Sequence, residues 1–148
     1  MNTRIDDGLK YLKELTSLQN LNLASNKSIT DNGLKHLADI RSLENLNLSS
    51  SYITGIGFEY FADSKFLKSL DLSHCYFITD QHLLKLTNIR SLENLNLTNC
   101  RIKIDGLRHL SNLRSLKNLN LERCQNIPKN MQIIYNGEDE VRKFFQQI

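Results

Sequence analysis

The sequence predicts an α/β solenoid, with a curved parallel sheet on its concave side, short helices on its convex side, and a distinct strand–helix cap at the C-terminal end. Three observations carry this. A leucine pattern recurs as LQNLNL at 18–23, LENLNL at 43–48, LKSLDL at 67–72, LENLNL at 92–97 and LKNLNL at 116–121, in steps of 25, 24, 25 and 24 residues. A second motif keeps the same beat: ITDNGLKHL at 29–37, ITGIGFEYF at 53–61, ITDQHLLKL at 78–86 and IKIDGLRHL at 102–110. The nonapeptide IRSLENLNL occurs twice, letter for letter, at 40–48 and 89–97.

The first element, IDDGLKYL at 5–12, is the second motif without a preceding strand, and places a helical half-repeat at 4–17. Five strand-bearing repeats follow from residue 18. In each leucine pattern the last two leucines are two apart, so in a strand they point to one face and the intervening asparagines to the other. In the second motif the leucines are three apart, at helical spacing, and Thr30 and Asp31 are the expected N-caps before Leu34 and Leu37. No single repeat can bury its own leucines; stacking buries them in one continuous core. The strand Leu18–Leu23 has no strand before it, which predicts an edge covered by the first residues, by upstream sequence, or by a second copy in a homodimer.

Pro128 ends the periodic region, dividing the chain into repeats over 1–127 and a cap over 128–148. MQIIYN at 131–136 reads as a last strand and GEDEVRKFF at 137–145 as a helix, with carboxylates where the helix dipole favours them. Val141, Phe144, Phe145 and Ile148 fall at helical spacing, as expected for a face that covers the end of the core.

The periodic pattern is that of leucine-rich repeats. One column, Asn26, Ser51, Cys75, Cys100 and Cys124, is small and weakly polar, as turn-filling side chains meeting loop backbone should be. The segment LDLSHCYFITDQHLLKL at 70–86 resembles the cysteine-containing leucine-rich repeat, with Asn26, Ser51 and Gly55 departing from its pattern. That subclass occurs in F-box substrate adaptors and in proteins of intracellular bacteria. The resemblance covers about residues 4–127 and implies a non-catalytic protein-recognition module.

Composition narrows the function classes. Hydrophobic residues make up 40% and charged residues 24%, with a net charge of +3, ordinary values for a globular domain. No apolar run approaches a membrane span, the N-terminus does not read as a signal peptide, and three cysteines argue against a disulfide framework. These features point to the cytoplasm, or to delivery into a host cell by a signal the chain does not display. No metal-ligand spacing, phosphate loop, nucleophile elbow or catalytic carboxylate pair is present, and no basic stripe with stacking aromatics suggests nucleic acid. No cofactor is expected. His74 lies beside Cys75, but as consecutive strand residues they would face opposite ways, which is unsuited to a Cys–His pair.

The expected partner is another protein. The outward strand columns read Asn20, Asn45, Ser69, Asn94, Asn118 and Asn22, Asn47, Asp71, Asn96, Asn120; they either satisfy each other or present amides to a partner. Aromatic and charged groups follow in the ascending loops, at Tyr52, His74, Tyr76, Phe77, Arg101, Glu122 and Arg123, among them the Tyr and Arg side chains that dominate binding hot spots. Phe77 is read either as one of these or as core. The column Thr16, Arg41, Lys65, Arg90, Arg114 carries four cations that could attract an acidic protein or a phosphate-rich ligand, but the column directly upstream, Glu14, Asp39, Asp63, Asn88, Asn112, partly neutralises it, and it is read as a solvated flank. The column Glu44, Lys68, Glu93, Lys117 alternates in sign, as register control between neighbouring strands would require. Partner-binding residues are therefore expected at Asn22, Asn47, Asp71, Asn96, Asn120, Tyr52, His74, Tyr76, Arg101 and Arg123. Alternative functions are the substrate-recognition part of a ubiquitin-ligase adaptor, which needs a recruiting segment elsewhere, an enzyme inhibitor, or a self-associating structural protein. The Asn-, Ile- and Lys-rich composition, with the resemblance, suggests a bacterial effector aimed at a host protein.

Overall fold

A computed structural model describes residues 3–148. Five strands, β1 (Asn20–Asn22), β2 (Asn45–Asn47), β3 (Ser69–Asp71), β4 (Asn94–Asn96) and β5 (Asn118–Asn120), pair in parallel in that order, with Leu21, Leu46, Leu70, Leu95 and Leu119 in register. On the convex side stand α1 (Thr3–Leu9), continued by a 3₁₀ segment Lys10–Glu14, then α2 (Asp31–Ala38), a 3₁₀ segment Ile56–Phe61, α3 (Asp80–Leu86) and α4 (Ile104–Leu110). This is the leucine-rich-repeat solenoid, and its strand and helix leucines from Leu34 to Leu121, the exposed Leu84 excepted, lie in one buried cluster. The steps of 25 and 24 residues alternate because the loop from the small turn residue to the next isoleucine does. Asn26–Ile29, Cys75–Ile78 and Cys124–Ile127 hold one residue more than Ser51–Ile53 and Cys100–Ile102.

Three ladders tie each repeat to the next. The buried thiols of Cys75, Cys100 and Cys124 donate to the carbonyls of Leu48, Leu72 and Leu97 in the preceding repeat, at 3.2, 3.2 and 3.0 Å. Ser42, Ser91 and Ser115 hydroxyls donate to the Leu18, Leu67 and Leu92 carbonyls. The opposite charges pair as expected at two junctions, Lys68 with Glu44 and Lys117 with Glu93, each at 2.8 Å.

A fourth junction, on the convex side, corrects the sequence reading of Asp31. Thr30 alone caps α2, accepting from the Asn32 N–H; Asp31 reaches instead into the next repeat, where its carboxylate accepts from the Thr54 N–H and hydroxyl and from the N–H groups of Gly55 and Gly57. Asp6 serves Thr30 likewise, and Asp80 accepts from the Lys103 N–H at 2.7 Å. A glycine makes room each time: a Cβ would fall 2.3 Å from Asp6 Oδ1 at Gly33, 2.6 Å from the Asp31 carbonyl oxygen at Gly57 and 2.4 Å from Asp80 Oδ1 at Gly106. At the remaining junction both partners are exchanged. Gly55 stands in the aspartate column and His82 in the glycine column, and His82 Nδ1 accepts the Thr79 N–H at 3.2 Å. Gly55, at φ +99°, also starts its segment in a conformation no aspartate favours, and that segment winds as 3₁₀ rather than α.

The two ends differ. After a 3₁₀ turn at Lys129–Met131, β6 (Ile134–Asn136) pairs with β5 antiparallel, and α5 (Glu138–Gln147) packs Val141 and Phe144 into the core. The Tyr135 and Phe144 rings pack at a tilt of 38° with centroids 4.5 Å apart, and Arg142 donates to the Leu113 carbonyl at 2.7 Å. At the other end β1 is the sheet edge, and Leu18, Leu21 and Leu23 are only half-buried.

Candidate functional site

The outward face of the strands forms a shallow hollow. Its first column is a hydrogen-bonded ladder: Asn45 donates to Asn20 at 2.7 Å, Asn94 to Ser69 at 2.9 Å and Asn118 to Asn94 at 2.6 Å. The second column does other work, which alternation along a strand does not reveal. The side-chain oxygens of Asn22, Asn47, Asp71, Asn96 and Asn120 each accept the N–H two residues on, at Ala24, Ser49, Ser73, Thr98 and Glu122. These are Asx turns, and they aim the ascending loops. The sequence signal that could have found them is the Asn or Asp closing every strand. With one oxygen of each engaged in its turn, the asparagines offer amide hydrogens and Asp71 its second oxygen: Asn96 donates to Asp71 Oδ2 at 3.1 Å and Asn120 to Glu122 at 3.4 Å.

Each Asx turn leads to one residue in the left-handed region: Ser25, Ser50, His74, Asn99 and Arg123, all at φ between 57° and 59°. Five non-glycine residues holding this conformation at one repeat position show loops shaped by the scaffold. His74 and Cys75 are therefore loop residues, not strand residues; what separates them is burial of the thiol while the imidazole stays at the surface. Burial raises all three thiols above the usual cysteine range, which leaves them protonated and unreactive.

Beyond the turns the loop side chains gather into a cluster. Tyr52, Tyr76 and Phe77 are 51%, 45% and 52% exposed, so Phe77 is a surface residue and not core. Tyr52 meets Phe77 edge-on at 5.5 Å, and Lys27 lies over the Tyr52 ring at 5.5 Å. One loop along, Arg101 lies over the Tyr76 ring at 5.6 Å, and the Asn99 amide reaches His74 Nδ1 at 3.0 Å and the Tyr76 hydroxyl at 3.2 Å. The cluster thus has two groups that adjoin through the neighbouring residues Tyr76 and Phe77: Tyr52 with Phe77 and Lys27, and His74, Tyr76 and Arg101 with Asn99. Arg123 is exposed on the last loop, and among the described residues no hydrogen bond, ion pair or ring contact joins its side chain to them. Among the described residues no group of three His, Cys, Asp or Glu side chains is placed to hold a metal, and no helix is long and apolar enough to cross a membrane.

Known proteins place this architecture. One Leucine Rich repeat family model matches residues 14–38 and 63–86, and a second matches 42–64. No curated protein matches. Among solved structures, an internalin (inlF) from Listeria monocytogenes is 26% identical with a TM-score of 0.61, covering 80% of this chain and 35% of its own. Internalin C2 of the same bacterium is 18% identical at a TM-score of 0.59, covering 79% and 53%. The tropomodulin C-terminal domain of Caenorhabditis elegans is 13% identical at 0.53, covering 96% and 93%. The chain spans about a third to a half of the length of the two internalins. It is built of leucine-rich repeats stacked as in those proteins, an architecture whose general use is to bind other proteins.

Proposed function

We propose that the chain is a non-catalytic recognition module that holds another protein on its ascending loops and the adjoining concave face. The observation that carries this is the exposed cluster of Tyr52, Tyr76 and Phe77 with Lys27 and Arg101. Aromatic and arginine side chains dominate binding hot spots because they bury much area for few lost rotamers. Here the loops beneath them are already fixed by the Asx turns, so little ordering cost is left to binding. Asn22, Asn47, Asp71, Asn96 and Asn120 supply a polar floor whose oxygens are engaged by the turns and whose asparagine amide hydrogens donate to a partner.

The finer reading is a bacterial protein directed at a host partner, working in the cytoplasm or delivered into a host cell. The cysteine column and the likeness to two Listeria internalins support it. Pull-down from eukaryotic lysate with wild type and with Tyr52→Ala/Tyr76→Ala checks the surface: the variant should retain the partner at least tenfold less, and equal recovery would sink the loop assignment. Arg123→Ala, apart from the cluster, should change recovery little. Self-association through Leu18–Leu23 is a second reading, favoured by the place of β1 at the edge of the sheet among the described residues; light scattering that finds a strict monomer with slowly exchanging β1 amides removes it.

A further inference from the structure

On the rim opposite the ascending loops, the segments that return from helix to strand form grooves between neighbouring repeats. Two of these grooves are built alike. Their backbones share one turn, in which the Thr16, Arg90 and Arg114 N–H groups bond to the Glu14, Asn88 and Asn112 carbonyls at 3.1, 3.0 and 3.0 Å. Their side chains differ. The first groove sets Lys13 and Arg41 beside Asp39, and Glu14 precedes it in the same loop. The second is lined by Thr87, Asn88, Arg90, Asn112, Arg114 and Ser115, with asparagine wherever the first has an acid.

The second groove is therefore cationic. Arg90 and Arg114 are exposed, and among the described residues neither enters an ion pair. A third guanidinium, that of Arg142, is fastened just behind, donating to the Leu113 carbonyl at 2.7 Å and more distantly to those of Ser111 and Leu116. Stacking like charges on adjacent strands is unfavourable by itself. The repeats avoid it three residues further on, where Glu44 meets Lys68 and Glu93 meets Lys117. The Thr87 and Ser115 hydroxyls are committed to the Leu84 and Leu92 carbonyls, which leaves two guanidinium forks and two side-chain amides facing outward. So many N–H donors exceed what the two oxygens of a carboxylate take up; they suit a tetrahedral dianion, which arginine forks bind bidentately.

We propose that the groove between Arg90 and Arg114 binds a phosphate group, either free or as the monoester of a phosphorylated side chain on a partner. This goes beyond the recognition surface above, since the groove lies on the other rim, and either site can fail alone. The test is an amide-resolved NMR titration of the full chain with inorganic phosphate against chloride at matched ionic strength. Saturable shifts are expected at Thr87–Arg90 and Asn112–Ser115, and none at Lys13–Thr16 or Asp39–Ser42. Arg114→Gln, and separately Asn112→Asp, which installs the acid of the first groove, should each weaken binding at least tenfold with an unchanged spectrum elsewhere. Parallel titrations with a phosphoserine peptide and its unphosphorylated form separate the sources. Tighter binding of the phosphopeptide alone assigns the site to a modified partner, and binding of inorganic phosphate with no gain from the peptide assigns it to the free anion. Equal shifts in both grooves, shifts reproduced by chloride, or variants that bind as wild type would overturn the site.

Discussion

The N-terminal end and the interior junctions of this solenoid carry the same residues in the same columns under opposite conditions. Gly8, Gly33, Gly57 and Gly106 are equivalent positions, yet a Cβ at Gly8 would meet nothing within 4 Å, whereas at Gly106 it would fall 2.7 Å from the Asp80 Cα. Leu21 and Leu46 are equally equivalent; Leu46 is 2% exposed and Leu21 is only half-buried. What decides is whether a repeat is stacked before the residue. In a quasi-one-dimensional protein the energy resides in junctions, so identical side chains matter according to position.

The largest break in this comparison comes from the core. Leu46→Ala should cost about 2–5 kcal/mol, the range for a buried leucine leaving a cavity. Leu21→Ala should cost nearer ~1 kcal/mol, because much of that side chain is already in water. Urea unfolding of both variants checks it, and equal losses would mean that β1 is covered in solution. The glycine column gives the next effect, with opposite signs. Gly106→Ala forces a methyl against the backbone of the preceding repeat and should cost about 1–3 kcal/mol. Gly8→Ala should gain roughly 0.5–1 kcal/mol, since it only removes a flexible residue from a helix. Thermal unfolding reads both.

Asp31→Asn tests what the aspartate junction does. Burial alone would raise the Asp31 carboxyl, but the N–H groups of Thr54 and Gly57, the Thr54 hydroxyl and the Gly55 N–H outweigh it and hold the group below the usual aspartate value. A value lower in the folded than in the unfolded state adds stability above the unfolded value, and that stability is lost as pH falls through the folded one. Wild type should therefore lose more stability than Asp31→Asn on passing from neutral pH to below the aspartate range. At neutral pH the variant should be weaker by ~1–3 kcal/mol, because an amide presents N–H to donors. Parallel acid-unfolding curves for the two proteins would exclude this reading.

The repeat scaffold was legible from leucine spacing, because strand and helix periods are local properties and each recurs several times. Thr30 was legible as a cap for the same reason. Asp31 was not, since its donors sit 23 to 26 residues away and a cap-forming residue looks the same whether it turns inward or across. The pairing direction of β6 was hidden because period-two alternation carries no polarity. Phe77 was ambiguous because it occupies the extra residue of a longer loop, where no other repeat offers an apolar equivalent: Ser28 and Asn126 take its place. In the candidate site the residue types of the loops could be read, but their meeting in space needed the left-handed turns that bring neighbouring loops together.

The smallest net effect is expected where two large ones cancel. At the junction between Gly55 and His82 the usual aspartate and glycine have changed places with a glycine and a histidine, and the two changes depend on each other. A Cβ on Gly55 would stand 2.9 Å from the His82 Cβ, and Gly55 has a backbone that suits glycine alone. His82 in turn supplies the acceptor for the Thr79 N–H that an aspartate supplies elsewhere. Gly55→Asp by itself should thus cost about 1–3 kcal/mol through overpacking and strain. His82→Gly by itself should cost about 1–2 kcal/mol, through the lost acceptor and a glycine within a helix. Together they rebuild the aspartate–glycine junction found at Asp6 and Gly33, Asp31 and Gly57, and Asp80 and Gly106; with the His82 side chain gone, residue 55 can leave its positive φ for the first helical position that Asp31 and Asp80 hold, so the double variant should lie within ~0.5–1 kcal/mol of wild type. A double-mutant cycle by urea unfolding measures the coupling. Strict additivity would mean that the exchanged pair is two unrelated substitutions. Strong coupling would mean that the junction, rather than the residue, is the unit on which this repeat varies.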